Sequence, residues 1–137
     1  MTGELAAVMA EITDGGQRFG HRQHIQLAFI AGRRHGAAAV SDLMPAWIRQ
    51  IAAAHGAPHK YHETITVAWA RLVAHHLAAD PEVTDFDEFA DRYPALLDKT
   101  LLGRHYTPGV LGSAVARTAW VAPDLRPFKQ EIGRAHV

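Results

Sequence analysis

At 137 residues the chain falls within the usual length of one domain, long enough to bury about two-thirds of its unfolded surface around a single core. Lys and Arg together number 14, as do Asp and Glu, so the overall charge carries no footprint for nucleic acid or an anionic membrane surface. Cysteine is absent, which removes thiolate catalysis, disulfides and every metal site that needs sulfur. The N-terminal stretch lacks a basic segment ahead of its apolar residues, and no apolar run approaches membrane-spanning length, so the expectation is a soluble cytoplasmic protein. What stands out is histidine, present ten times, a side chain that ligates metals or moves protons near neutral pH when its surroundings allow.

In chain order, Leu5, Val8, Met9 and Ile12 recur at three- and four-residue spacing and predict a short helix over 3–13, ended by Asp14-Gly15-Gly16. A second helix begins after Gly20. On it His24, Leu27, Ala28, Ala31 and His35 share one face, while Arg22, Gln26 and Arg33 point away. Residues 37–54 carry Val40, Leu43, Met44, Trp47 and Ile51 toward a core and end at His55-Gly56; Pro45 predicts a kink or a start near Ser41-Asp42. The short connector 56–58 favours an antiparallel return.

The stretch 58–79 then reads as one amphipathic helix with Pro58 at its first turn. Tyr61, Ile65, Ala68, Leu72, His75 and Ala79 form a stripe, with His62, Trp69, Val73 and His76 beside it and Lys60, Glu63, Thr64 and Arg71 opposite. His62 and His76 would stand ~21 Å apart along the axis, so one end of this helix must meet polar groups from elsewhere to build a site. Asp80-Pro81 ends it. Asp85 caps a short helix that stops at Tyr93-Pro94, Leu96 to Leu102 make another closed by Gly103, and Thr107-Pro108 opens the next turn. Ser113 caps a last helix through Trp120, and 121–137 is expected to wrap the surface. With no strand-like alternation anywhere, the fold is expected to be all-α: a single-domain helical bundle of about five or six helices, with short closing helices and an irregular C-terminal tail.

Four clusters carry candidate chemistry. His21 and His24 form an i, i+3 pair at a helix start, where they could cap the helix and bond a carbonyl or face a cavity. Lys60, Tyr61, His62 and Glu63 gather charge, proton-transfer and ligating groups within about one turn. Arg104, His105 and Tyr106 sit on a loop between helices. His75 and His76 point about 100° apart and read better as core histidines than as a metal pair. One imidazole from each of three segments, His24, His62 and His105, with His21 as a fourth, would hold a single divalent Zn, Cu or Fe ion with an open position. No His-Glu-x-x-His, Glu-x-x-His, glycine-rich phosphate loop or serine nucleophile elbow occurs, so no nucleotide cofactor is expected.

The blocks Phe19-Gly-His-Arg-Gln-His24, Ala54-His-Gly-Ala-Pro-His-Lys-Tyr-His-Glu-Thr64, Leu96-Leu-Asp-Lys99 and Arg104-His-Tyr-Thr-Pro108 resemble those of a family of small, uncharacterised, histidine-rich, all-helical bacterial proteins, over about residues 19 to 125. The resemblance implies that these blocks belong together; it brings no activity and no residue role.

Three functions fit. The first is a small metal-dependent enzyme, with Glu63, Tyr106 or Tyr61 moving the proton and Lys60, Arg104 and Trp69 holding a small organic substrate, anionic where the cations orient it. The second uses the same His/Glu/Tyr pocket without metal, as an acid–base lyase, isomerase or cyclase. The third is a non-catalytic small-molecule-binding or accessory protein. A homodimer face is compatible with the three tryptophans but is not located by the sequence.

Overall fold

A computed structural model describes residues 1, 3–13 and 18–128. Among these residues the chain is all-helical, with seven α-helices rather than five or six: α1 (Gly3–Ile12), α2 (His21–His35), α3 (Val40–Ala54), α4 (Glu63–Ala79), α5 (Phe86–Arg92), α6 (Pro108–Leu111) and α7 (Ala114–Thr118). No helix among them is long and apolar enough to cross a membrane. The glycines at 15 and 16 that were expected to end α1 lie outside the described residues.

The hydrophobic pattern builds the first three helices as expected. Leu5, Val8, Met9 and Ile12 are all buried on α1, and Leu27, Ala28 and Ala31 on α2, joined there by Ile25 and Phe29, whereas His35, expected on the same face, is exposed and bonds Glu4. A 3-10 turn at Ala37–Ala39 leads into α3, which starts at Val40, so Pro45 is inside the helix and removes only the backbone bond that its nitrogen would have made to the carbonyl of Ser41. Gly56, with φ of 71°, ends this segment in the left-handed region, where other residues would be strained.

α4 is the hub, packed against α2 and α3 on one side and α7 on the other. It is buried around much of its circumference rather than along one stripe: Thr64 and Thr66 are buried together with Val67, Ala68, Trp69, Ala70, Leu72, Val73 and Leu77. Thr64, expected on the solvent side, is covered by the segment after α7. Its hydroxyl donates to the carbonyl of Ala119 at 2.8 Å and accepts the Val121 N–H at 3.1 Å. Two distant backbone groups thereby satisfy the one polar atom that burial would otherwise strand. Arg33, also expected to point outward, is half-buried, with its guanidinium 5.3 Å from the Phe29 ring centre and donating to the carbonyl of Asp80.

The closing elements are held by short-range caps. Asp85 accepts the Glu88 N–H, Thr107 the Val110 N–H and Ser113 the Ala116 N–H, each three residues ahead. The expected helix over 96–102 is instead two 3-10 turns, Pro94–Leu97 and Leu101–Arg104, because Asp98 between them accepts both the backbone N–H and the hydroxyl of Thr100 and so draws the chain into a turn. Up to residue 128 the tail is irregular and runs over the surface as expected, fastened by its backbone and by one buried ring. The Leu125 N–H donates to the carbonyl of His105, and Phe128 is buried against the rings of His105 and Tyr106. Residues 129–137, the remainder of the expected tail, lie outside the described residues.

Candidate functional site

The entry to α2 sets the position of His24. Gly20 precedes the helix, and its N–H donates to the Gln23 side chain at 2.9 Å, the one half of a capping box that glycine permits. Phe19, one residue earlier, stacks on His24 with ring centres 6.3 Å apart and an interplanar angle of 25°. These are the two positions that a hydrophobic staple joins across a helix start, here with an imidazole as the inner partner. His24 is thus turned into the protein, and its Nε2 is fully enclosed with no hydrogen-bond partner among the described residues. Burial, and then the neighbouring His21, push its pKa down to about 4, so the ring is neutral at pH 7.

His24 faces a cavity of about 500 Å3 between α2, the C-terminal half of α3 and the entry to α4. Phe19, Ile48, Ile51 and Ile65 give it apolar walls; Tyr61, Thr66 and Lys60 add polar groups. Its size is in the range of small-molecule pockets, roughly 300–1,000 Å3. Lys60 is exposed in the 3-10 turn Pro58–Lys60, and its side chain makes no hydrogen bond or ion pair among the described residues, so its ammonium is uncommitted at the rim.

The entry to α4 departs from the single helix expected over 58–79. After the 3-10 turn the backbone extends through Tyr61 and His62, and the helix begins at Glu63. His62 is its N-cap: Nδ1 accepts the Ile65 N–H at 3.1 Å, which leaves Nε2 as the protonated nitrogen, and Nε2 donates to the carbonyl of Leu111 at 2.7 Å. Both nitrogens are therefore used structurally, although His62 is among the residues lining the cavity. The Tyr61 phenol donates to Glu63 at 2.6 Å, and Arg49 donates to the same carboxylate oxygen at 3.1 Å while lying 4.5 Å over the Tyr61 ring. Burial, followed by the bond to Glu63, pushes the Tyr61 phenol well above its ordinary range, so it holds its proton.

The remaining candidates are occupied elsewhere. His21 donates from Nε2 to the carbonyl of Leu96 at 2.8 Å and rests on Trp69 with ring centres 4.5 Å apart; burial lowers its pKa, against the opposing effect of that carbonyl. Trp69, expected to touch substrate, lies beneath His21 in the core and does not line the cavity. His105 donates from Nδ1 to the carbonyl of Arg126 at 2.7 Å and packs on Phe128. Tyr106, expected as a proton-transfer group, is 1% exposed, and its phenol donates to the carbonyl of Val121. Arg104 is exposed in its 3-10 turn, outside the cavity wall.

Of the three imidazoles expected around one ion, His24 and His62 line the cavity and His105 does not. Among the described residues no group of three or more His, Asp or Glu side chains is placed to hold a metal ion. His62 lacks a free nitrogen, and His105 belongs to the packing of the C-terminal segment. His75 and His76 stay within the fold, His76 bonding the carbonyl of Leu72 and packing on Tyr93.

Sequence reasoning missed the α3 wall. Ile48, Ile51, Ala52 and His55 complete the cavity. The available signal was the glycine at 56, which takes a left-handed φ at the turn between α3 and the entry to α4. Comparison with family models, curated proteins and solved structures returns no match.

Proposed function

We propose that this chain binds a small organic anion with an apolar body, seated in the cavity between α2, α3 and α4. The observation that carries this reading is His24, which borders a cavity with largely apolar walls and whose enclosed Nε2 has no hydrogen-bond partner among the described residues. An unsatisfied buried nitrogen costs on the order of 1–3 kcal/mol, and a ligand toward which the ring turns, so that this nitrogen meets a polar group, recovers that cost. Lys60 supplies a charge for an anionic group at the rim, and Phe19, Ile48, Ile51 and Ile65 take the body between.

Binding fits this geometry better than catalysis. A general base works best with a pKa near the working pH, and His24 at about 4 is a weak one. The proton of Tyr61 is held by Glu63, and Glu63 is held by Arg49.

A test is to titrate 15N-histidine-labelled protein with 4-ethylbenzoate and follow the His24 ring nitrogens by NMR, alongside thermal unfolding. A saturable shift of Nε2 with a raised Tm supports the reading. Lys60→Met should weaken binding about tenfold, the equivalent of one charge-assisted contact. Unchanged His24 resonances at millimolar ligand would overturn it.

A further inference from the structure

Tyr61 also borders a second concavity. Arg49 from α3, His59 from the 3-10 turn and Arg117 from α7 line a cleft of about 350 Å3, with Pro58, Tyr61 and Thr118 completing its wall. No carboxylate lines it. Arg49 gives one nitrogen to Glu63 at the edge, and the one hydrogen bond of the Arg117 side chain among the described residues is a long one, 3.4 Å to the carbonyl of His59. Guanidinium carries five N–H donors in a rigid fork, so most of the donors of these two side chains are unmatched by protein acceptors.

The chain as a whole has equal numbers of acidic and basic side chains, so this concentration of positive charge is local. Two guanidiniums from distant parts of the sequence, held in one concavity with a single carboxylate at its border, repel each other, and an anion between them would convert that repulsion into two attractions. We infer that this cleft is a site for a small oxyanion, a phosphate or carboxylate group, held between Arg49 and Arg117 with His59 beside it. The planar forks suit the paired oxygens of such a group. This site stands apart from the ligand proposed for the inner cavity, since Tyr61 is the one residue that lines both concavities.

The test titrates the full chain with inorganic phosphate at pH 7, with sodium chloride at matched ionic strength as the comparison, and follows the arginine side-chain Nε–H signals and the His59 ring by NMR. The expected result is a saturable shift confined to Arg49, Arg117 and His59, weakened about tenfold in Arg117→Gln and unchanged in Arg126→Gln. Arg117 and Arg126 are both exposed, and matching Tm values for the two variants show that the fold is retained. A linear response that chloride reproduces, or equal phosphate affinity in Arg117→Gln and the parent chain, would overturn the inference.

Discussion

The imidazole of His62 donates to the carbonyl of Leu111 at 2.7 Å, joining the first residue of the α4 entry to the end of α6 across 49 positions of sequence. The same ring accepts the Ile65 N–H, so one side chain caps the hub helix and anchors a closing helix on it. Serine, threonine and aspartate are the usual caps; histidine does both tasks because its two nitrogens differ in role once the tautomer is fixed.

His62→Ala should therefore cost about 2–4 kcal/mol, the loss of a cap plus a carbonyl left without its donor. His62→Asn can restore the cap but is too short to reach Leu111, and should recover about 1 kcal/mol of that loss. Urea denaturation of the three chains measures both terms. Equal stability of parent and alanine variants would mean that water replaces both bonds.

Thr64 makes a comparable link on the opposite side of α4. Thr64→Val keeps the shape of the side chain but leaves the carbonyl of Ala119 and the N–H of Val121 without their partner. The expected cost is about 1–2 kcal/mol, the net loss of two hydrogen bonds to partly solvated backbone groups. The Val121 amide should also exchange with solvent faster than in the parent chain. Hydrogen exchange read residue by residue checks this, and unchanged protection of Val121 would contradict it.

These two residues show what the sequence could and could not disclose. Periodicity places Leu5, Val8, Met9, Leu27, Ala28, Met44, Trp47 and Ile51 in the core, because apolar burial depends on local spacing that a helix repeats. It also places His24 among small residues on the inner face of α2, which is where its ring is found. It misplaces Thr64, since a hydroxyl can be buried wherever a distant segment supplies partners, and residues 119–121 are more than fifty positions away. The same holds for His105 and Tyr106, whose bonds to Arg126 and Val121 follow from the path of a tail with no periodic signal. The start of α4 was obscured for a different reason. Proline at 58 marks the first turn of α-helices and of 3-10 turns alike, and only the extended backbone at 61–62 separates them.

The approach of α2 to α4 makes a third prediction. A Cβ built on Gly32 would lie 2.2 Å from Cδ1 of Leu77 and 3.1 Å from Cγ2 of Val40. Alanine gains roughly 1 kcal/mol over glycine in a helix interior, whereas overpacking a tight core costs about 1–3 kcal/mol. Leu77 is 2% exposed and has little room to rotate away, so the steric term should win. Gly32→Ala is expected to destabilise by about 1–2 kcal/mol, measured by urea denaturation. A shift of Leu77 methyl resonances should accompany the loss; a more stable variant would show that Leu77 can be displaced at little cost.

Stability should also fall in mild acid through His24. Its pKa in the folded chain is depressed, from an ordinary 6.5 to about 4. Above pH 6.5 both the folded and the unfolded chain hold the ring neutral, and it contributes nothing to the pH dependence. As pH falls below 6.5 the unfolded chain takes up a proton that the folded chain refuses, so unfolding becomes easier with each step until the folded ring itself titrates near 4. The full effect over that window is roughly 3 kcal/mol, at about 1.4 kcal/mol per unit of depression. His21, whose pKa is also lowered by burial, adds in the same direction. The carboxylates of Glu4, Asp80, Asp98 and Asp124 are held below their ordinary values of 4.5 and 3.8, so their stabilisation is lost only at lower pH. The interval between pH 6.5 and 5 therefore isolates the histidines. His24→Phe removes the titrating ring and its stranded nitrogen while keeping the stack on Phe19, so urea denaturation at pH 7.5 and pH 5 should show a smaller drop for this variant than for the parent. An equal drop in both chains would assign the acid sensitivity to another group.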